Sequence, residues 1–169
     1  VGLIQIGLIN MCAGIEQVKR SHTESYCTLS DGWKNIPGGI FDMTQLNNAH
    51  QPWDLSNHRT KQQALDKTYE DMSILILSSV PCSMIGSRDD MHNRVRKHTK
   101  ACVNLFNIQR EHGLYFIHEN VTDAPSWMYA DMLALTSHDE VYPYIADEAT
   151  FSSPSGMSVG GKMRVITNA

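Results

Sequence analysis

Apolar residues fall in short runs separated by longer polar stretches. Gly2 to Ile9, Ser73 to Ser79, Leu114 to Ile117 and Met163 to Ile166 are rich in Ile, Leu and Val, the pattern of strands buried on both faces. Ser25 to Leu29 and Val141 to Ile145 are weaker strand candidates. From Asp54 to Met72 the spacing turns helical, with Ala64, Leu65, Tyr69 and Met72 on one face. A second helix fits Met91 to Glu111, where Val95, Cys102, Leu105 and Phe106 make a stripe and Gly113 stops it. Strands and helices alternate, with gaps long enough for crossovers. This predicts an α/β fold of three layers, a mostly parallel sheet flanked by helices. Functional sites in such sheets sit just beyond the carboxyl ends of the strands. Phe151 to Gly161, rich in Ser and Gly, reads as an exposed loop.

Composition narrows the class. A chain of 169 residues that is 41% hydrophobic buries a sizeable core as one domain, taken here as 1–169. The formal charge of −4 argues against a generally basic nucleic-acid binder, so contact with a polynucleotide needs a local basic patch. Cys12, Cys27, Cys82 and Cys102 lie far apart without a C-x-x-C pair, neither a disulfide framework nor a zinc ribbon, which favours a reducing, intracellular setting. The apolar opening is short and interrupted by Gln5, so it reads as a buried strand rather than a signal or membrane-spanning helix. With no initiator Met and a stop just after an apparent strand, the chain is expected to be part of a longer reading frame.

Two side chains stand out by their position. The strand ending at Ser79 runs into Val80-Pro81-Cys82-Ser83, which places a thiol in a proline-fixed turn at a strand's carboxyl end, where a nucleophile belongs. A lone cysteine is otherwise simply a small buried hydrophobe, and that reading holds for Cys12, Cys27 and Cys102. The next strand ends in His118-Glu119-Asn120-Val121, so a carboxylate emerges at the same edge; taken alone, Glu119 is an ordinary solvated loop acid. Pairing Cys82 with His118 would make a cysteine hydrolase, but no oxyanion-hole signature or third orienting residue accompanies them. The histidines lack metal-ligand spacing. Arg88, Arg94, Arg96, Lys97 and Lys100 concentrate positive charge after the Pro-Cys turn, either a phosphate grip or a solvated helix face. Trp33, Trp53 and Trp127 have no periodic arrangement and read as packing residues.

Pro81-Cys82 and Glu119-Asn120-Val121, 37 residues from Cys82 to Glu119, resemble the Pro-Cys and Glu-Asn-Val motifs of cytosine-C5 DNA methyltransferases in order, setting and spacing. Lys162-Met163-Arg164-Val165 resembles the family's Gln-x-Arg-x-Arg segment with only the last basic position kept, which makes Arg164 a third active-site candidate. Phe41-Asp42-Met43-Thr44-Gln45 is similar to the segment whose acid approaches the adenine of S-adenosylmethionine, so the resemblance assigns Asp42 and Met43 to the cofactor, together with Pro81 and with Gly14 of the amino-terminal loop. That loop, Asn10 to Glu16, keeps Ala13-Gly14 but lacks the family's further glycine. The run Gly113 to Trp127, with Trp53-Asp54 and Gln62-Gln63-Ala64 upstream, also looks like methyltransferase-like modules of retroelement polyproteins in some protists and fungi. The resemblance implies a Rossmann-like methyltransferase fold and DNA as partner through the local basic patch. It implies methyl transfer to cytosine C5, with Cys82 attacking, Glu119 steadying the base and Asn120 bracing the loop. A methyltransferase-fold module that has lost turnover and serves as an interaction or nucleic-acid-binding unit is the alternative.

Overall fold

The computed structural model describes residues 3–10, 34–42, 50–79, 89–147 and 162–169. In chain order these form β1 (Leu3–Asn10), β2 (Lys34–Asp42), α1 (His58–Asp71), β3 (Leu75–Ser79), α2 (Asp89–Glu111), β4 (Tyr115–Val121), a 3-10 turn (Pro125–Met128), α3 (Ala130–Thr136), β5 (Tyr142–Asp147) and β6 (Lys162–Thr167). The strands make one sheet in the order β2-β1-β3-β4-β6-β5. Pairings among β2, β1, β3 and β4 are parallel, whereas β6 runs antiparallel to both β4 and β5. The alternating pattern is therefore a mixed α/β sheet with a parallel core. The reversed β6 had no sequence signal, because an antiparallel neighbour needs no helical crossover.

β2 is the strand that hydrophobicity misses. Pro37-Gly38-Gly39 interrupts its apolar pattern, and these residues punctuate strands. The register accommodates them with an irregularity: Ile6 pairs Pro37, but Leu8 already pairs Ile40. Ser25 to Leu29, the Phe151 to Gly161 loop, Gly14, Met43 and the Pro81-Cys82 turn lie outside the described residues.

α1 starts at Asn57 rather than Asp54, because the Asn57 side chain accepts from the amides of Arg59 (2.9 Å) and Thr60 (3.4 Å), a standard way of satisfying first-turn donors. Its buried stripe is Thr60, Ala64 and Thr68, whereas Tyr69 is 49% and Met72 38% exposed. Small residues on that face let α1 lie close to its neighbours. α2 follows its predicted stripe: Val95, Cys102, Leu105 and Phe106 are all buried. Gly113, at φ +66°, ends it, with Leu114 N–H donating to Gln109 C=O at 2.8 Å. α2 touches α1 and α3 as well as β3 and β4, so these helices form one layer on one face. Among the described residues only this one of the two expected flanking layers is seen.

Phe106 of α2 stacks on Phe116 of β4 at 4.5 Å between ring centroids. The Gln109 side chain donates to the carbonyls of Ser73 and Tyr115, both at 2.8 Å, and so joins the approaches to β3 and β4. Beside β6, Asn168 accepts from Phe116 N–H and donates to Leu114 C=O, both at 2.9 Å. Phe106→Ala is expected to lower unfolding free energy by about 3–5 kcal/mol, and Tyr69→Ala by under about 1 kcal/mol. Urea titration checks this; equal losses would mean the buried face is misassigned.

Candidate functional site

Parallel register lines up the carboxyl ends of four strands. Asp42 on β2 pairs Asn10 on β1, Asn10 pairs Ser79 on β3, and Ser79 pairs Glu119 on β4. At about 4.8 Å per strand, this row spans roughly 14 Å from Asp42 to Glu119. Ser79 is followed directly by Val80, Pro81 and Cys82 in sequence. Neither Ser79 nor Asn10 stood out in the sequence; the only signal for them is that each is the last residue of its strand.

Glu119 is half-buried, and the Ser79 hydroxyl donates to its carboxyl group. Burial pushes its pKa above the usual carboxylate value, and the Ser79 hydrogen bond opposes that only in part. A carboxyl group so placed holds a proton closer to neutrality than a solvated one, which suits it to donating a hydrogen bond or a proton.

The pleat assigns its neighbours to other work. Along β4, Phe116, His118 and Asn120 are buried under the helices, and Ile117, Glu119 and Val121 point the other way. Asn120 Nδ2 donates to Ser126 Oγ at 3.1 Å and its Oδ1 accepts from Val121 N–H at 2.9 Å. Trp127 Nε1 donates to Val121 C=O at 2.8 Å. The Glu-Asn-Val end of β4 is thereby braced from beneath. Trp127 is 3% exposed and Trp53 meets Phe41 edge-on at 4.9 Å; both are packing residues.

Arg164 pairs Asn120 in register, and its guanidinium carbon lies 4.8 Å from the centre of the Trp127 ring. Glu119 pairs Val165 instead. Register therefore sets Arg164 and Glu119 on opposite faces of the sheet, and Arg164 contributes a cation–π contact to the braced end of β4.

His118 ends the hydrolase reading. Its ring is fully buried between Phe106 and Trp127, with Nδ1 3.1 Å from Ser78 Oγ, and burial pushes its pKa down to about 3. Such an imidazole is a poor base without access to substrate. His98 is equally buried; desolvation takes it down to about 3, opposed by Asp54 and reinforced by His118 and Arg94. Burial pushes the Cys102 thiol up to about 12, although Ser78 Oγ lies 3.8 Å from its Sγ, so Cys102 is inert core. Of the basic run, Arg94 pairs Asp54 at 2.7 Å, whereas Arg96, Lys97 and Lys100 are exposed. Among the described residues, no three metal-ligating side chains come together and no helix is long and apolar enough to cross a membrane.

No known protein family's profile matches the chain, and no curated protein does. Among solved structures, the chain is similar to the methyltransferase EhMeth of Entamoeba histolytica. The TM-score is 0.50 at 13% identity, over 98% of this chain and 53% of that one. The two share a fold. The chain spans about half the length of that methyltransferase.

The buried histidines make stability pH-dependent. Their ordinary pKa is 6.5 and their folded value about 3, so above the ordinary value both states are neutral and stability is fully present. As pH falls from there toward the folded value, only the unfolded chain takes up the protons, and stability drops by about 1.4 kcal/mol per pH unit for each histidine. His98→Leu is expected to flatten the acid limb of urea-denaturation free energy by one such increment. A slope equal to the parent's would show that His98 is not held neutral.

Proposed function

We propose that the chain carries the catalytic core of an S-adenosylmethionine-dependent enzyme that methylates C5 of cytosine in DNA. The observation that carries this reading is the single register row of Asp42, Asn10, Ser79 and Glu119, with Pro81-Cys82 immediately beyond Ser79 in sequence. The fold shared with a methyltransferase supports it.

The row suits the cofactor. Asp42 ends β2, an acid at the strand-end position where hydroxyl and amino groups of an adenosyl moiety find an acceptor. Roughly 14 Å separates it from Glu119, enough for a cofactor and a base to lie side by side. S-adenosylmethionine, when bound, supplies an electrophilic methyl group. Cys82, as thiolate, adds to C6 of an unstacked cytosine while Glu119, whose burial favours the protonated form, holds N3. The S–C6 bond makes C5 nucleophilic toward the methyl group. Loss of the C5 proton to a base then releases the thiolate and restores the ring. Asn120 and Trp127 position Glu119 by bracing its strand end.

The alternative, a non-catalytic module of the same fold, is favoured by the amino-terminal loop Asn10 to Glu16, which lacks a second glycine. Calorimetry separates the two: no S-adenosylmethionine binding at millimolar cofactor would sink the enzyme reading. The parent is expected to form a covalent adduct with DNA containing 5-fluorocytosine. Cys82→Ser should form none, and Glu119→Gln should slow adduct formation by roughly 10²–10⁴-fold. If the parent forms no adduct with cofactor bound, Cys82 is not the nucleophile.

A further inference from the structure

The first turn of α1 and the middle of α2 enclose a cleft of about 260 Å³, lined by Leu55, Ser56, His58, Lys61, Lys97 and Lys100. Every ionisable group in that lining is basic. Residues 55–61 and 92–100 together hold Arg59, Lys61, Arg94, Arg96, Lys97 and Lys100 and no Asp or Glu. On a chain of net charge −4 this is a marked local concentration of positive charge. Of the acids nearby, one is engaged elsewhere and one meets a lining lysine. The Asp54 carboxylate accepts from Ser56 N–H (3.0 Å) and Ser56 Oγ–H (2.7 Å) and pairs Arg94 (2.7 Å). Asp131 lies 3.8 Å from Lys100 Nζ. Lys61 and Lys97 have no ion-pair partner among the described residues. Lys61 and Lys97, which line one cleft without such a partner, repel one another, and an anion relieves that repulsion.

From this we infer that the α1–α2 cleft binds phosphate, and that the phosphate is a backbone diester of a nucleic-acid strand. The cleft is smaller than the roughly 300–1,000 Å³ of pockets that enclose whole small-molecule ligands, and compact ammonium groups suit a point contact with phosphate. α1 and α2 follow β2 and β3, whose carboxyl ends carry Asp42 and Ser79 of the row, so a strand gripped here lies over the helix-covered face of the sheet, opposite the face to which Glu119 points. The inference rests on the nucleic-acid reading for the source of the phosphate, not for the cleft itself.

The test measures anisotropy of a labelled single-stranded DNA of roughly 20 nucleotides across a salt series, with the full chain, K61E/K97E and the control K67E. Lys67 pairs Asp71 at the far end of α1 (3.1 Å). Coincident circular-dichroism melts establish that the variants fold. K61E/K97E is expected to bind roughly tenfold more weakly. Its slope of log affinity against log salt should be shallower by about 1.4, or 0.7 for each single-strand phosphate lost. K67E should bind like the parent. Unchanged affinity in K61E/K97E, or an equal loss in K67E, overturns the cleft. A second arm titrates pyrophosphate by calorimetry: lysine-dependent pyrophosphate binding without lysine-dependent DNA binding overturns the nucleic-acid source. Because binding and not adduct formation is read, failure of the methyl-transfer reading leaves this result interpretable.

Discussion

Helix α2 is the member against which everything else is placed. Its buried side carries Val95, Cys102, Leu105, Phe106 and Ile108, and Phe106 sits flat on Phe116 of the central strand β4. Burying several large apolar side chains on one helix contributes on the order of 1.5–3 kcal/mol each, more than the exposed ion pairs together supply. The same helix fixes the sheet directly through Gln109, whose side chain spans the approaches to β3 and β4. Once α2 is seated, the ends of those two strands are level, and Ser79 stands beside Glu119.

The pleat then divides labour within a few residues. One face of β4 gives Phe116, His118 and Asn120 to packing and bracing, and the other gives Glu119 to the carboxyl edge. Burial acts on both faces in opposite senses. It holds the imidazole of His118 neutral by lowering its pKa, and keeps the carboxyl of Glu119 ready to carry a proton by raising it. The inert Cys102 thiol, deep in the core, shows what desolvation does to a sulfur without an activating charge.

How far the sequence foretold this depends on how local each signal was. α2 was legible because an apolar stripe recurs at helical spacing from Val95 to Phe106 within its 23 residues and a glycine with positive φ follows. The strands β1, β3 and β4 of the parallel core were legible where runs rich in Ile, Leu and Val stand in the sequence, although β3 and β4 are fully buried on only one face. β2 was not, because Pro37-Gly38-Gly39 masks a strand that exists through pairing with β1. α1 was found in part: Ala64 is buried and Leu65 packs on the core as expected, but Tyr69 and Met72 are exposed while the polar Thr60 and Thr68 are buried. Glu119 was legible as a strand-end acid. The side of the sheet on which Arg164 falls was not, since that depends on the antiparallel register of β6.

Consecutive residues of β4 therefore belong to chemically different worlds, and chain length there is a more delicate quantity than residue identity. A deletion of one residue in the Gly113-Leu114 connection, if absorbed by sliding the strand, would turn Glu119 into the apolar interior, move His118 to the opposite face and leave Asn120 in the place of Glu119. Asn168 and Gln109 grip the beginning of β4 on either side and oppose such a slide. Variation in this segment should consequently tolerate substitution far more readily than insertion or loss, a constraint imposed by parity rather than by chemistry.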